Sequence, residues 1–405
     1  MPPFDFNVYS ALLLPAFIQG LLFAAILWLR GQREACLADR LLAFLLLIFS
    51  LRVANWMLGF AGWYDSHDGY TTFMFYFPFN HWFAIGPLVY FYFRSLTNSN
   101  FKFRGANWWH FAPAFAMIGQ QLTVFVIDVL IKNQLMGQPF PEHFGTKGSL
   151  ADWPTGLADY LLYLAAYGSL GYYFIRTRQV YRQYRHYLNA NFSETSSLRF
   201  AWLNHFLYAV GTALVIWFAF DIVEFVRGKQ LPYQLDWYSF FAWGIIIYYL
   251  SIAGYGTMPK QVLALHFEPD TTAHIGQKDA VAETENLRAF AAVLQQYMDE
   301  KRPYLQPELT LADLAGYLDL SPTAVSRVLN AQLNQNFNEF INAYRVEAVK
   351  RMAADPAFKH LSILGIAYEC GFNSKATFNR AFLKHAGCSP SEFLKAQKMT
   401  GVSNS

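Results

Sequence analysis

Residues 366–393 read I-A-Y-E-C-G-F-N-S-K-A-T-F-N-R-A-F-L-K-H-A-G-C-S-P-S-E-F. Ile363, Ile366 and Ala367 recur at helical spacing, and that helix stops at Cys370-Gly371-Phe372, where glycine takes the left-handed conformation of a helix end. Ser374 caps the next helix, whose buried side is Phe378, Ala381 and Phe382. Lys375, Ala376, Thr377, Asn379 and Arg380 then face outward. Gly387 marks a second stop, and Pro390 takes the first position of a further helix. Two short helices, a tight turn and a polar face on the second helix form a helix-turn-helix. Its second helix fits a major groove about 12 Å wide.

The same grammar occurs upstream. Leu311, Leu314, Ala315 and Leu318 form one face of a short helix, and Ser321-Pro322 supplies an N-cap followed by Pro at the first helical position. The helix over Thr323–Gln332 buries Val325, Val328 and Leu329, leaving Thr323, Ser326, Arg327 and Asn330 outward. Asn334 closes it, a residue that tolerates the left-handed region. Between the two units, Phe337–Met352 reads as a helix of about 16 residues, some 24 Å long at ~1.5 Å per residue. Such a spacer lets tandem readers approach successive major grooves, which recur about every 34 Å. The charge balance permits it: from Ser321 onward ten Lys/Arg, Arg345 among them, stand against five acids, although residues 261–405 sum to −1.

These residues resemble the DNA-binding domain of AraC/XylS-type transcriptional regulators, over about 285–397. The resemblance rests on the stretch quoted above, on L-T-L-A-D-L-A-G-Y-L-D-L-S at 309–321 and on Y-R-V-E-A-V at 344–349. It implies two helix-turn-helix units joined by a long helix and binding to double-stranded DNA. Thr323, Ser326 and Arg327 would be base-facing in the first unit, and Lys375, Ala376, Thr377, Asn379 and Arg380 in the second. Lys350, Arg351 and Lys384 are candidates for phosphate, while Arg327 and Arg380 suit guanine. Two departures stand out. Asn334 replaces a usual Gly, and Ala376 replaces a commonly polar residue and so offers no base hydrogen bond.

Upstream of this region the chain changes character. Residues 259–284 read as a linker, in which His266, Asp270 and His274 match no common metal-ligand pattern. Leu287, Phe290, Ala291, Leu294 and Met298 then mark a helix over 285–301 that packs on the following domain or pairs with a second subunit. A short tail follows at 398–405.

The first 258 residues are of another kind. Of the 405 residues 54% are hydrophobic and only 15% charged, and all 11 Trp lie between Trp28 and Trp243. Lys, Arg, Asp and Glu number 30 in residues 1–260 but 29 in the last 145. Val8–Leu29 has no ionisable carboxylate, amine or guanidinium and is long enough to cross a ~30 Å hydrocarbon core. Counting similar runs gives seven spans, about 8–30, 41–63, 71–94, 107–131, 157–176, 200–226 and 237–258. Connections after the first, third and fifth carry 11 Lys/Arg and the alternate ones carry four. That bias puts the amino terminus outside and everything after Pro259 in the cytoplasm. The expected fold is all-α: a seven-helix transmembrane bundle in a bacterial inner membrane, plus a cytoplasmic all-α domain.

Intramembrane charges are costly and therefore informative. Arg52, His81, Asp128, Asp221 and Glu224 read either as a ligand pocket open to the outside or as structural pairs such as Arg52 with Asp221. The aromatic residues read as lipid-facing and interfacial surface. Cys36, Cys370 and Cys388 suggest neither a disulfide framework nor a metal site. No H-E-x-x-H, G-x-S-x-G or phosphate-loop motif occurs, so no enzyme and no cofactor is expected. The leading expectation is a membrane-bound transcriptional regulator. Its partners would be DNA, membrane lipid, RNA polymerase, a second copy of itself as a homodimer, and an unidentified small-molecule or membrane signal. A transporter or channel with a regulatory cytoplasmic domain is the alternative, disfavoured because seven spans show no internal repeat.

Overall fold

The computed structural model describes residues 5–79, 81–195, 198–227, 233–256, 267 and 280–402. Among these the chain is all-helical, with two isolated bridges and no strand. It divides into two compact units, Met1–Val180 with Ala201–Glu268, and Tyr181–Phe200 with Pro269–Ser405. The expected linker lies outside the described residues apart from Phe267 and those from 280 on, and so do His266, Asp270 and His274.

The first unit contains α1 (Val8–Arg33), α2 (Leu37–Phe60), α3 (Gly69–Tyr76), α4 (Trp82–Thr97), α5 (Ala112–Phe125), most of α6 (Leu157–Asn191), α7 (Ala201–Arg227) and α8 (Tyr233–Gly256). Central among them is α2, buried along most of its length and packed on α1, α4 and α8. Gly20 makes the α1–α2 approach possible, since a Cβ there would lie 2.0 Å from Ser50 Oγ. Small residues let apolar helices close on one another in this way. At one end of the same helices Arg30 reaches Asp39 through two nitrogens, at 2.6 and 2.8 Å, and donates to the Tyr255 carbonyl at 2.7 Å. One guanidinium thus ties α1 to α2 and satisfies a terminal carbonyl of α8.

Among the described residues four helical stretches are long and apolar enough to cross a membrane: Val8–Arg33, Leu37–Phe60, Gly105–Leu135 and Leu235–Gly256. By that measure the expected count of seven is not confirmed. The third expected span is broken: α3 ends at Tyr76, Phe77 is extended, and α4 starts after His81. Pro78 explains the break, because it disfavours helical geometry at the preceding residue. The fourth span is continuous but changes type, from 3-10 at Gly105–Phe111 through α5 to a π-helical run at Val126–Leu135. The fifth continues well past the expected end at 176, to Asn191.

The second unit has one hydrophobic core, built by α9 (Ala280–Lys301), α10 (Leu311–Tyr317), α11 (Pro322–Gln332), α12 (Phe337–Ala354), α13 (Ile363–Glu369), α14 (Lys375–Ala386) and α15 (Pro390–Val402). Ala291, Leu294 and Met298 of α9 are buried in it and Leu287 packs against it, whereas Phe290 is exposed. Hence α9 packs on the domain that follows it. The long helix α12 contacts α11 on one side and α13 and α14 on the other.

Arg345, in the middle of α12, is fully buried. Its Nε donates to the Tyr304 carbonyl at 2.8 Å, and Nη2 donates to the carbonyls of Gln306 at 2.7 Å and Pro307 at 3.2 Å. Burial pulls the guanidinium down to about 10, so it stays charged at neutral pH. In the sequence Arg345 is simply one of the ten Lys/Arg after Ser321; the structure makes it an internal post. Replacing it with Met strands the buried Tyr304 carbonyl and removes the donor of the part-buried Gln306 and Pro307 carbonyls, and a loss of about 1–3 kcal/mol is expected for the second unit. Pulse proteolysis of the full-length protein in urea, read on a carboxy-terminal tag, measures this. Trp fluorescence, which comes entirely from residues 28–243, should keep its midpoint. An unchanged proteolysis midpoint for Arg345→Met would refute the post.

Candidate nucleic-acid interface

The first helix-turn-helix is α10 and α11. Thr310 and Asp313 form a reciprocal capping box at the start of α10, the arrangement that satisfies two otherwise orphaned backbone donors. The turn bends through Asp319, at φ 55, with Leu320 N donating to Ala315 O at 2.9 Å. Ser321 Oγ accepts from Ala324 N at 3.2 Å, with Pro322 at the first helical position. Val325, Val328 and Leu329 enter the core. Thr323 and Asn330 are exposed, and Ser326 and Arg327 are half-buried. Asn330 Nδ2 donates to the Ser326 carbonyl at 2.9 Å, which fixes part of that outer face. Asn334 adopts φ 49 at the exit.

The second unit is α13 and α14. Ser362 caps α13, and Phe372 N returns to Ala367 O at 3.1 Å around Gly371. Gly371 has φ +89, and a Cβ there would lie 2.6 Å from the Tyr304 carbonyl, so glycine is required on two counts. Ser374 Oγ accepts from Thr377 N at 3.2 Å. Gly387 ends α14 at φ 73, and Ser389 with Glu392 brackets Pro390 at the start of α15. Lys375, Ala376, Asn379 and Arg380 are exposed.

Thr377 differs from the expectation. It is 3% exposed, beside Phe378 and one turn before Ala381, and it therefore turns toward the core and not outward. Its hydroxyl accepts from Ser374 Oγ at 3.0 Å and stands 3.5 Å from Glu194 Oε1. Glu194 belongs to the segment Tyr181–Phe200, whose presence in this unit was not legible from the sequence.

The three phosphate candidates already have protein partners. Lys350 pairs with Glu347 at 2.7 Å, Arg351 Nη2 meets Tyr304 Oη at 3.2 Å, and Lys384 pairs with Glu339 across α12 and α14. The exposed ion pairs with Glu347 and Glu339 contribute only about 0–1 kcal/mol each, so they hold Lys350 and Lys384 weakly.

Of the residues considered for a ligand pocket, Arg52 is buried with its guanidinium 3.5 Å from the Trp82 ring centroid. His81 sits at the break before α4. Asp128 is buried and held by Lys132 Nζ at 2.9 Å, Leu150 N at 2.8 Å and Tyr76 Oη at 3.2 Å. These contacts make Asp128 a structural anchor of the π-helical stretch, beside a cleft of about 220 Å3 that Lys132, Phe140 and Ser149 also line. The side chains of Asp221 and Glu224 lie outside the described residues.

Comparison with known proteins agrees with this geometry. Residues 314–396 match the model of a family described as a helix-turn-helix domain. Over 86 residues the chain is 28% identical to the HTH-type transcriptional regulator Rv1931c of Mycobacterium tuberculosis (strain ATCC 25618 / H37Rv), covering 21% of this chain and 32% of that protein. The chain thus spans about a third of the length of that relative. No solved structure matches it. The protein carries a carboxy-terminal AraC-type helix-turn-helix domain.

The Glu339–Lys384 pair yields a pH prediction. Lys384 holds the Glu339 carboxyl below its ordinary range, so the pair stabilises the fold above the usual Glu value of about 4.3 and loses that contribution as pH falls through the lower folded value. Lys384→Met should therefore cost up to about 1 kcal/mol at pH 7 and progressively less as the pH is lowered toward 3. Urea midpoints of wild type and variant at the two pH values test the sign.

Proposed function

We propose that this protein is a membrane-embedded, sequence-specific DNA-binding transcriptional regulator that couples a signal met by its apolar unit to promoter binding. The observation that carries the reading is the pair of helix-turn-helix units on one core, in the same chain as helices of membrane-crossing length. The alternation of basic connections supports an outside amino terminus and a cytoplasmic DNA-binding unit in a bacterial inner membrane. Thr323, Ser326 and Arg327 on α11, and Lys375, Ala376, Asn379 and Arg380 on α14, are the residues proposed to face bases. Lys350, Arg351 and Lys384 are proposed to meet phosphates. A ligand can act only through different affinities for two arrangements of the helices. Dimerisation is the simplest such difference, because it raises the effective concentration of a second reader.

Full-length protein in nanodiscs, tested on fragments recovered with it from the host chromosome, should bind some fragments far more tightly than random DNA. Arg327→Ala and Arg380→Ala should each cost about 1–3 kcal/mol and relax sequence preference, whereas Lys350→Ala should weaken all sequences alike. Unaltered preference in the double Arg variant would refute these recognition helices. Reporters fused after Leu29 and Pro259 should read inside in each case, and an outside signal after Pro259 would sink the whole reading.

A further inference from the structure

Residues 181–200 form the end of α6 and its connection to α7, yet they cluster with 269–405 and so belong to the DNA-binding unit. The connection is itself folded. Tyr184 Oη donates to the Leu198 carbonyl at 2.7 Å and Tyr181 Oη to the Arg199 carbonyl at 3.1 Å, while the Tyr184 ring stacks on Phe200 with centroids 6.1 Å apart. Tyr184, Leu188 and Phe200 are buried. The last turns of α6 and the entry to α7 are thereby closed on each other as a stiff hairpin.

Its tip is seated among groups distant in the chain. Phe192 forms an antiparallel bridge with Thr310, and Ser193 N donates to the Leu309 carbonyl at 3.2 Å. Ser193 Oγ donates to the same carbonyl at 2.7 Å and accepts from Arg345 Nη2 at 3.3 Å. Asn338 Nδ2 from α12 donates to the carbonyls of Phe192 at 3.2 Å and Ser193 at 2.7 Å. Ser193 and Thr195 are buried, at 0% and 1% exposure. A connecting loop seldom loses this much solvent, because its backbone groups need partners; here Leu309 and Asn338 supply them. The seat lies at the entry to the first helix-turn-helix, on α12 and on the inner side of α14, where Glu194 meets Thr377. Lys375, Ala376, Asn379 and Arg380 stay exposed with the tip in place, so seating leaves the outer face of α14 open.

We propose that residues 192–195 are a noncovalent latch: seated on Leu309, Asn338 and Arg345, they keep the DNA-binding unit attached to α6 and α7 even when the chain is cut between 259 and 284. The attachment stands apart from the DNA-binding reading. What it adds to that reading, and rests on it, is a mode of action. The regulator acts in place and is not freed by cleavage of the linker, and a movement of α6 or α7 passes through the hairpin to α12 and α14. Because the hairpin is continuous with both helices, no further contact is needed for that transfer.

The test uses full-length protein in nanodiscs, with an affinity tag at the amino terminus, an epitope at the carboxy terminus and a protease site inserted after Gly276. After complete cleavage the carboxy-terminal fragment should stay with the amino-terminal tag through washing. Asn338→Ala removes both side-chain bonds to the tip, and Ser193→Ala removes the hydroxyl that meets Leu309 and Arg345; each should speed loss of the fragment about tenfold. Hydrogen exchange on the intact wild type needs no substitution, and the Ser193 amide should be as protected as the core of α12. Prompt loss of the wild-type fragment, loss rates unchanged in both variants, or a Ser193 amide that exchanges like an open loop overturns the latch. The DNA-binding reading is tested separately on the same cut sample, which should bind chromosomal fragments recovered with the protein as the uncut protein does. Retention without DNA binding by cut and uncut protein alike supports the latch and overturns that reading.

Discussion

A buried guanidinium organises the DNA-binding unit. Desolvating Arg345 costs several kcal/mol, and this is offset by direct hydrogen bonds to the carbonyls at 304, 306 and 307 together with the nearby Glu194 carboxylate. Carbonyls can do this only where their backbone is held still. The chain between α9 and α10 therefore has one course, across the middle of α12. Gly371 closes on the same spot, within reach of the Tyr304 and Leu305 carbonyls and of Arg345 Nε. The entry to the first helix-turn-helix and the turn of the second are thus fixed against one side chain.

Ser193 is attached to that same post. Since Arg345 Nη2 and the Leu309 carbonyl both contact its hydroxyl, the segment from the α6–α7 connection docks on backbone that must be rigid for another reason. Removing the segment would take Ser193 Oγ from Arg345 Nη2 and, with it, the Asn338 contacts and the Phe192–Thr310 bridge.

What could be read in the sequence was local. Caps, stops and helix faces at Ser321, Ser374, Gly371 and Gly387 depend on neighbours within five residues, and the two helix-turn-helix units follow from them. The misreadings involve partners distant in the chain or hidden competitors. Arg345 looks like any surface cation until carbonyls some 40 residues earlier are placed beside it. Thr377 has the spacing of an outward residue only if its inner side is empty, and Glu194 fills it from 183 residues away. In the apolar unit, hydropathy identified the runs but not their continuity. Pro78 splits one of them, since a residue before proline resists the helix however apolar its surroundings. The extension of α6 to Asn191 carries little hydropathy, so a membrane-oriented reading stops at 176.

On the proposed reading, the electrostatics place the burden of DNA recognition on few residues. The excess of five positive charges after Ser321 includes Arg345, which is buried, and Lys350 and Lys384, which are paired with acids. Swapping an acid for a phosphate gains less than binding a bare cation, and it releases fewer counterions, so sequence-independent affinity and its salt dependence are both modest. Discrimination then rests on the outer faces of α11 and α14. On α14 that face is Lys375, Ala376, Asn379 and Arg380, all exposed, while Thr377 turns inward against Glu194. Burying one position of the turn fixes the rotation of α14 about its axis, and with it which side chains reach outward.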